Sequence, residues 1–156
     1  MLIFTFCSRT LNNRINRLQE RALRILYKDD DSTFSQLLEK DHSITLHTKN
    51  LQLLATEMYK MKNHILPCLL SEFVTAREAS YNFRAISDFL PYDPRTVHLG
   101  TESLSFLGPK VWDLVPSHIK ESSNLVLFRT RIKNWLPDNC PCRLCKVYIS
   151  QLGFLT

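Results

Sequence analysis

Three of the five cysteines lie within six residues of one another near the end of the chain, at Cys140, Cys142 and Cys145. Their C-x-C-x-x-C spacing brings thiolates close enough to share a soft metal ion or to exchange disulfides. A tetrahedral zinc site needs a fourth ligand, and no His or Cys follows the trio. The fourth ligand would come from another chain or from one of three upstream residues: Cys68, His98 and His118.

The cysteine trio has two other interpretations. It is either a free, redox-sensitive cluster or half of a site that a partner completes. Zinc binding is therefore an expectation that depends on a fourth ligand. No other cofactor is indicated, because the chain contains neither the G-x-G nor the G-K-[ST] segment of a phosphate-binding loop.

A second candidate site is a row of basic side chains on a helix predicted over residues 12–28. The apolar residues of this segment recur at steps of three and four, which is typical of an amphipathic helix; they are Leu11, Ile15, Leu18, Ala22 and Ile25. Basic residues have the same spacing beside that apolar stripe and form what we call the basic stripe: Arg14, Arg17, Arg21, Arg24 and Lys28. We expect this row to contact the phosphates of RNA or single-stranded DNA. The alternative is a solvated face whose charges pair with acidic residues.

Adjacent carboxylates occur in the tetrapeptide Tyr27-Lys28-Asp29-Asp30. Such a pair can hold the Mg²⁺ ions of phosphoryl transfer, but it needs a third acidic residue on a neighbouring strand and a hairpin to present it. Here the tetrapeptide follows an amphipathic helix and precedes Asp31. We therefore interpret it as a helix end, and we find no catalytic constellation elsewhere in the sequence.

Composition narrows the class of protein. The chain has 156 residues, 44% of them hydrophobic and 22% charged, which suits one globular domain. Its net charge of +5 permits binding to polyanions. No segment approaches the roughly 18 apolar residues of a membrane span, so no membrane partner is expected. The number of cysteines is odd, and Cys7 and Cys68 lie far in sequence from the trio, which fits a reducing compartment and predicts an intracellular protein of the nucleus or cytoplasm.

The expected fold class is mainly α: a small multi-helix domain with an irregular or short-strand middle segment and a Cys-rich C-terminal tail. Helices are predicted over 12–28, 33–40, 45–63, 103–115 and 123–136, with another helical turn within 67–75 and short strands near 81–84 and 95–99. Residues 1–137 would form the helical domain and 138–156 the cysteine-rich tail. Trp112 and Trp135 occupy apolar helix positions and are predicted core anchors.

Seven segments, taken in order, carry a resemblance to a known family: Phe6–Arg9, Asn12–Arg24, Asn50–Ala55, Tyr81–Arg84, Gly100–Leu104, Leu107–Trp112 and Cys140–Cys145. Together they resemble the C-terminal part of jockey-like non-LTR retrotransposon reverse transcriptases. The resemblance extends from about Phe6 to Leu155 and depends on the order and spacing of the segments, since no single motif is decisive.

The resemblance implies a truncated RNA-directed DNA polymerase, because in that family the catalytic palm lies upstream of the region that is similar here. We therefore expect no enzymatic activity from this chain and residual binding of RNA or single-stranded DNA. It also counts against Tyr27–Asp30 as a catalytic box. The alternative is a helical module for structural support or protein interaction, which would brace the polymerase thumb. Its partners would be the upstream polymerase domain or a second copy of the chain.

Overall fold

The computed structural model describes residues 9–66, 73–77, 87–90, 92–93, 95 and 103–137. In these ranges the chain is mainly helical, as predicted, and its one β-type feature is an isolated antiparallel bridge between Ala76 and Phe89. The helices of these ranges are α1 Arg9–Tyr27, α2 Phe34–Lys40, α3 Leu46–Lys62, α4 Leu104–Leu114, α5 Ser117–Lys120 and α6 Leu125–Ile132.

Backbone contacts divide the chain into two compact units, Met1–Leu51 and Gln52–Thr156. The first unit contains α1, α2 and the start of α3, and the second contains the rest of α3 with α4, α5 and α6. The predicted cysteine-rich tail at 138–156 lies outside the described residues. So do the predicted strands at 81–84 and 95–99, apart from Arg95, which lies in a bend.

The start of α2 follows from a capping box at Thr33. The Thr33 hydroxyl accepts a hydrogen bond from the Gln36 backbone N–H, and the Gln36 side chain accepts one from the Thr33 backbone N–H at 2.8 Å. These bonds satisfy two donors that the first turn of a helix otherwise leaves unpaired. Leu37 then lies fully buried within α2.

The core of the second unit is an aromatic cluster. Tyr59 stacks on Phe128 with ring centroids 4.3 Å apart, Trp112 lies 6.1 Å from Phe128, and Phe89 meets Trp112 edge-on at 6.0 Å. Their polar atoms have partners, as buried Tyr and Trp require. Tyr59 donates to the Ser122 carbonyl at 2.7 Å, and Trp112 Nε1 donates to Asp88 at 2.7 Å. Trp112 is therefore a core anchor, as predicted.

Helices α3 and α4 approach closely at Gly108. A Cβ at this position would lie 2.6 Å from the Met58 Sδ, which real contacts do not allow, and Met58 is fully buried. Glycine therefore lets α4 pack against the face of α3 that carries Met58. The helix predicted over 103–115 is α4, which begins at Leu104 and continues through Pro109. The proline removes one helical hydrogen bond, and tertiary packing retains the helix.

One local prediction is tested only in part, and another was wrong in extent. Of the predicted helical turn within 67–75 the structure describes residues 73–75, which are not helical, and there the Leu90 N–H donates to the Thr75 carbonyl at 2.9 Å. The last helix was predicted to reach residue 136 but α6 ends at Ile132. Pro137 has no N–H to donate to the Lys133 carbonyl, so the helical pattern cannot continue there.

The Gln52 side chain satisfies the carbonyls that follow α6. Its Nε2 donates to the Lys133 carbonyl at 3.1 Å and to the Trp135 carbonyl at 2.9 Å, and Gln52 itself is buried. An unpaired buried acceptor costs about 1–3 kcal/mol. This one amide therefore holds the segment that contains Trp135 against the core of the second unit.

We predict that Gln52→Leu lowers the free energy of unfolding by about 1–3 kcal/mol, because it leaves two carbonyls without their donor. Urea denaturation followed by tryptophan fluorescence measures this. Thr130→Val is the control, since it removes an exposed hydrogen bond within α6 and should change stability by less than about 0.5 kcal/mol. Equal stability of Gln52→Leu and the parent chain would contradict the assignment.

Candidate functional site

Helix α1 is held in the first unit by one of its sides. Gln19 Nε2 donates to the Ile44 carbonyl at 3.1 Å, and Gln19 Oε1 accepts from the Leu46 backbone N–H at 3.3 Å. Leu23 is buried on the same side, and the Tyr27 hydroxyl donates to Asp41 at 2.8 Å. At 100° per residue, Gln19 lies about 160° from both Arg17 and Arg21 around the helix, whereas Lys28 lies beyond the end of α1 with a positive φ. These contacts therefore direct the basic stripe away from the packed side.

The basic stripe faces solvent over most of its length. Arg14, Arg17, Arg21 and Lys28 are all exposed. Within the described part of the chain, no carboxylate pairs with Arg14, Arg17 or Arg21. The alternative reading of the stripe, a face neutralised by acidic neighbours, therefore does not describe these three guanidinium groups.

Arg24 differs from the other arginines of the stripe because its guanidinium group is already engaged. It forms an ion pair with Glu20 at 2.9 Å and donates to the backbone carbonyls of Asp29 and Asp30. A cation in the last turn also complements the helix dipole. Arg24 therefore stabilises the end of α1, and a phosphate contact at this position would compete with these bonds.

The apolar stripe of α1 is also largely exposed. Leu18 is 64% exposed and Ile25 78%, whereas Leu23, which lies outside the stripe, is 7% exposed. An open groove of about 740 Å³ adjoins this side of the helix. The described residues that line it are Leu11, Arg14, Ile15, Arg17, Leu18, Glu20, Arg21 and Arg24. Basic and apolar side chains thus share one accessible surface.

The carboxylates of the Tyr27–Asp30 segment serve the turn after α1. Asp29 accepts hydrogen bonds from the Ser32 hydroxyl at 2.8 Å and the Ser32 backbone N–H at 3.0 Å, and it pairs with Lys40 at 3.1 Å. The Ser32 bonds, followed by Lys40, lower the pKa of Asp29 from 3.8 to about 2. This carboxylate is occupied as a local acceptor, in keeping with the interpretation of the segment as a helix end.

The proposed metal ligands Cys140, Cys142 and Cys145 lie outside the described residues, as do Cys68 and His98. Of the candidate fourth ligands the structure describes His118, which is exposed and whose backbone carbonyl accepts from Arg131 at 2.8 Å. Among the described residues no group of three His, Cys, Asp or Glu side chains is arranged to hold a metal ion. Zinc binding by the trio remains a prediction.

The two tryptophans are unavailable for base stacking. Trp112 is fully buried and Trp135 is nearly so, which makes both part of the second unit's core. Gln19 was not predicted to hold α1 in place, because a glutamine within an amphipathic helix is usually solvated. Its position on the side of α1 opposite the basic stripe was the available signal.

Comparison with protein-family models, with curated proteins and with solved structures finds no match to this chain. In the described ranges, none of the helices combines the length and the apolar character needed to cross a bilayer.

We predict that the Asp29 carboxyl group titrates with a midpoint near pH 2, as observed by NMR of its side-chain carbon. Because its pKa is lowered on folding, its contribution to the stability of the turn is complete above about pH 4 and disappears as the pH falls towards 2. Ser32→Ala should raise the midpoint, since it removes the hydroxyl donor. A midpoint near 3.8 in the parent chain would show that the turn is not formed.

Proposed function

We propose that this chain binds RNA or single-stranded DNA through Arg14, Arg17 and Arg21, and that it derives from the C-terminal region of a retrotransposon reverse transcriptase and does not polymerise DNA itself. The observation that carries the proposal is the exposure of these three guanidinium groups on one side of α1, without a carboxylate partner among the described residues. Such binding would take place in the nucleus or cytoplasm.

Electrostatic repulsion within the stripe supports a polyanionic ligand. Arg14 and Arg17 are three residues apart and Arg17 and Arg21 are four apart, so that their side chains are neighbours on the helix surface. Each like-charged pair at these spacings costs about 0.2–0.5 kcal/mol. A bound phosphate backbone would remove this repulsion between the arginines, which is present in the free protein.

The geometry of the stripe suits a phosphate backbone. With a rise of 1.5 Å per residue, the three arginines are spaced about 4.5 Å and about 6 Å along the helix axis, within an arc of about 60°. Each phosphate that they neutralise releases condensed counterions. Three contacts to a single strand predict a slope of log K against log salt of about −2.

Binding through this surface should depend little on base sequence. Phosphate contacts position a nucleic acid, whereas contacts to base edges or stacking on aromatic rings provide sequence discrimination. None of the described residues that line the surface around Arg14, Arg17 and Arg21 is aromatic, and both tryptophans are buried. We therefore expect similar affinities for oligonucleotides of the same length and different composition.

We predict that the triple variant Arg14→Gln, Arg17→Gln, Arg21→Gln reduces the salt dependence of RNA binding from a slope of about −2 to near zero. Fluorescence anisotropy with a labelled single-stranded oligouridylate, measured between 50 and 200 mM salt (about the range over which phosphate contacts weaken), determines the slope. Arg24 is retained because its substitution would disturb the turn after α1.

The matched control is the triple variant Lys49→Gln, Arg129→Gln, Lys133→Gln, which removes the same number of exposed positive charges from other helices or their ends. It should retain the parent affinity and slope. If both triple variants lose affinity equally, the chain binds RNA through its net charge and not through the stripe. If neither variant changes the slope, α1 is not the binding surface.

A further inference from the structure

The apolar stripe of α1 has the spacing of a coiled-coil helix. Its members follow one another at steps of four, three, four and three, which are the a and d positions of a heptad repeat; they are Leu11, Ile15, Leu18, Ala22 and Ile25. Leu18 and Ile25 are among the most exposed large apolar side chains that the structure describes. We call these five residues the α1 seam.

A nucleic acid does not account for the α1 seam. Phosphates offer nothing to an aliphatic side chain, whereas removing apolar surface from water contributes about 25 cal/mol per Å². Single exposed leucines are ordinary on protein surfaces, but a continuous aliphatic row beside charged residues is typical of an interaction site. The ligand of this row must itself be apolar along one side.

The two edges of the α1 seam differ in charge. On one edge the positions that flank a heptad seam hold Arg14 and Arg21, both exposed. On the other edge lie Asn12, Gln19 and Leu26, of which Gln19 is bonded to the backbone at Ile44 and Leu46. A partner that covers the α1 seam therefore meets positive charge along one edge and uncharged side chains along the other.

This asymmetry selects among the apolar ligands that could cover the α1 seam. An antiparallel second copy would bring the basic edges together, and a parallel copy would set Arg14 and Arg21 opposite uncharged Gln19 and Leu26. A membrane surface requires an apolar face with both flanks accessible, and here Gln19 is tied to protein. A single helix with acidic flanking residues meets both the apolar row and the basic edge.

We infer that the α1 seam binds an amphipathic helix of a partner protein, whose leucine-type residues pack on Leu18 and Ile25 and whose Asp or Glu side chains face Arg14 and Arg21. The inference does not rest on the binding of RNA, because it depends on the aliphatic residues and not on phosphate contacts. If RNA also binds, the two ligands compete, since they share Arg14 and Arg21.

Two synthetic helical peptides test this inference with the full chain. Both carry Leu and Ile at the a and d positions; one has Glu and the other has Lys at the flanking e and g positions. Isothermal titration calorimetry should give an affinity for the Glu peptide at least tenfold higher than for the Lys peptide. The double variant Leu18→Gln, Ile25→Gln should bind the Glu peptide at least tenfold more weakly, because it removes two apolar contacts.

Val126→Gln is the matched control, since Val126 is 73% exposed on α6 and should not affect the Glu peptide. All the substituted residues are exposed, so circular dichroism should show unchanged helix content. The double variant should also keep the salt slope of oligouridylate binding, which separates a failure of this inference from a failure of the RNA proposal.

Three results would overturn the inference. Equal or absent binding of the two peptides would show that charge does not select the partner. If the measured molecular mass of the chain rises with its concentration, and the double variant Leu18→Gln, Ile25→Gln stays monomeric, the α1 seam binds a second copy of the chain. If the parent chain floats with vesicles of phosphatidylserine and phosphatidylcholine, the same double variant does not, and the Glu peptide does not bind, the α1 seam binds a membrane surface.

Discussion

Two hydrogen bonds of the Gln19 side chain set the rotation of α1 about its own axis. Gln19 donates to the Ile44 carbonyl and accepts from the Leu46 backbone N–H. Leu23 and the Tyr27–Asp41 bond lie on the same half of the helix. With that half packed, the guanidinium groups of Arg14, Arg17 and Arg21 and the α1 seam must face outwards. The chemistry that we propose for the chain depends on this orientation, because the opposite rotation would bury the charges.

The two exposed stripes present different physical forces on one surface. The arginines act over distance and are screened by salt, so the polyanion that we propose as their ligand would bind in a salt-dependent way. The aliphatic seam acts at contact and is insensitive to salt, so it favours a shaped apolar partner. Arg24 has a different role from the other arginines: its bonds to Glu20 and to the carbonyls of the turn hold the end of α1 in place.

Local patterns in the sequence predicted much of the helical structure, because apolar periodicity and the Thr33 cap are encoded by neighbouring residues. The stripes of α1 were visible for the same reason. The side of α1 that packs could not be predicted from the sequence, because a bond between Gln19 and a segment 25 residues away decides it. The early end of α6 also reflects a distant partner, Gln52, together with Pro137. The cysteine trio lies outside the described residues, and its metal chemistry remains a prediction.

The orientation of α1 can be measured directly by NMR with a soluble gadolinium chelate, which enhances the relaxation of solvent-exposed protons. The structure predicts strong enhancement at the side chains of Arg14, Leu18 and Ile25 and weak enhancement at Gln19 and Leu23. Strong enhancement at Leu23 with protection of Leu18 and Ile25 would show that the helix is rotated the other way, and the proposed binding surface would then not exist.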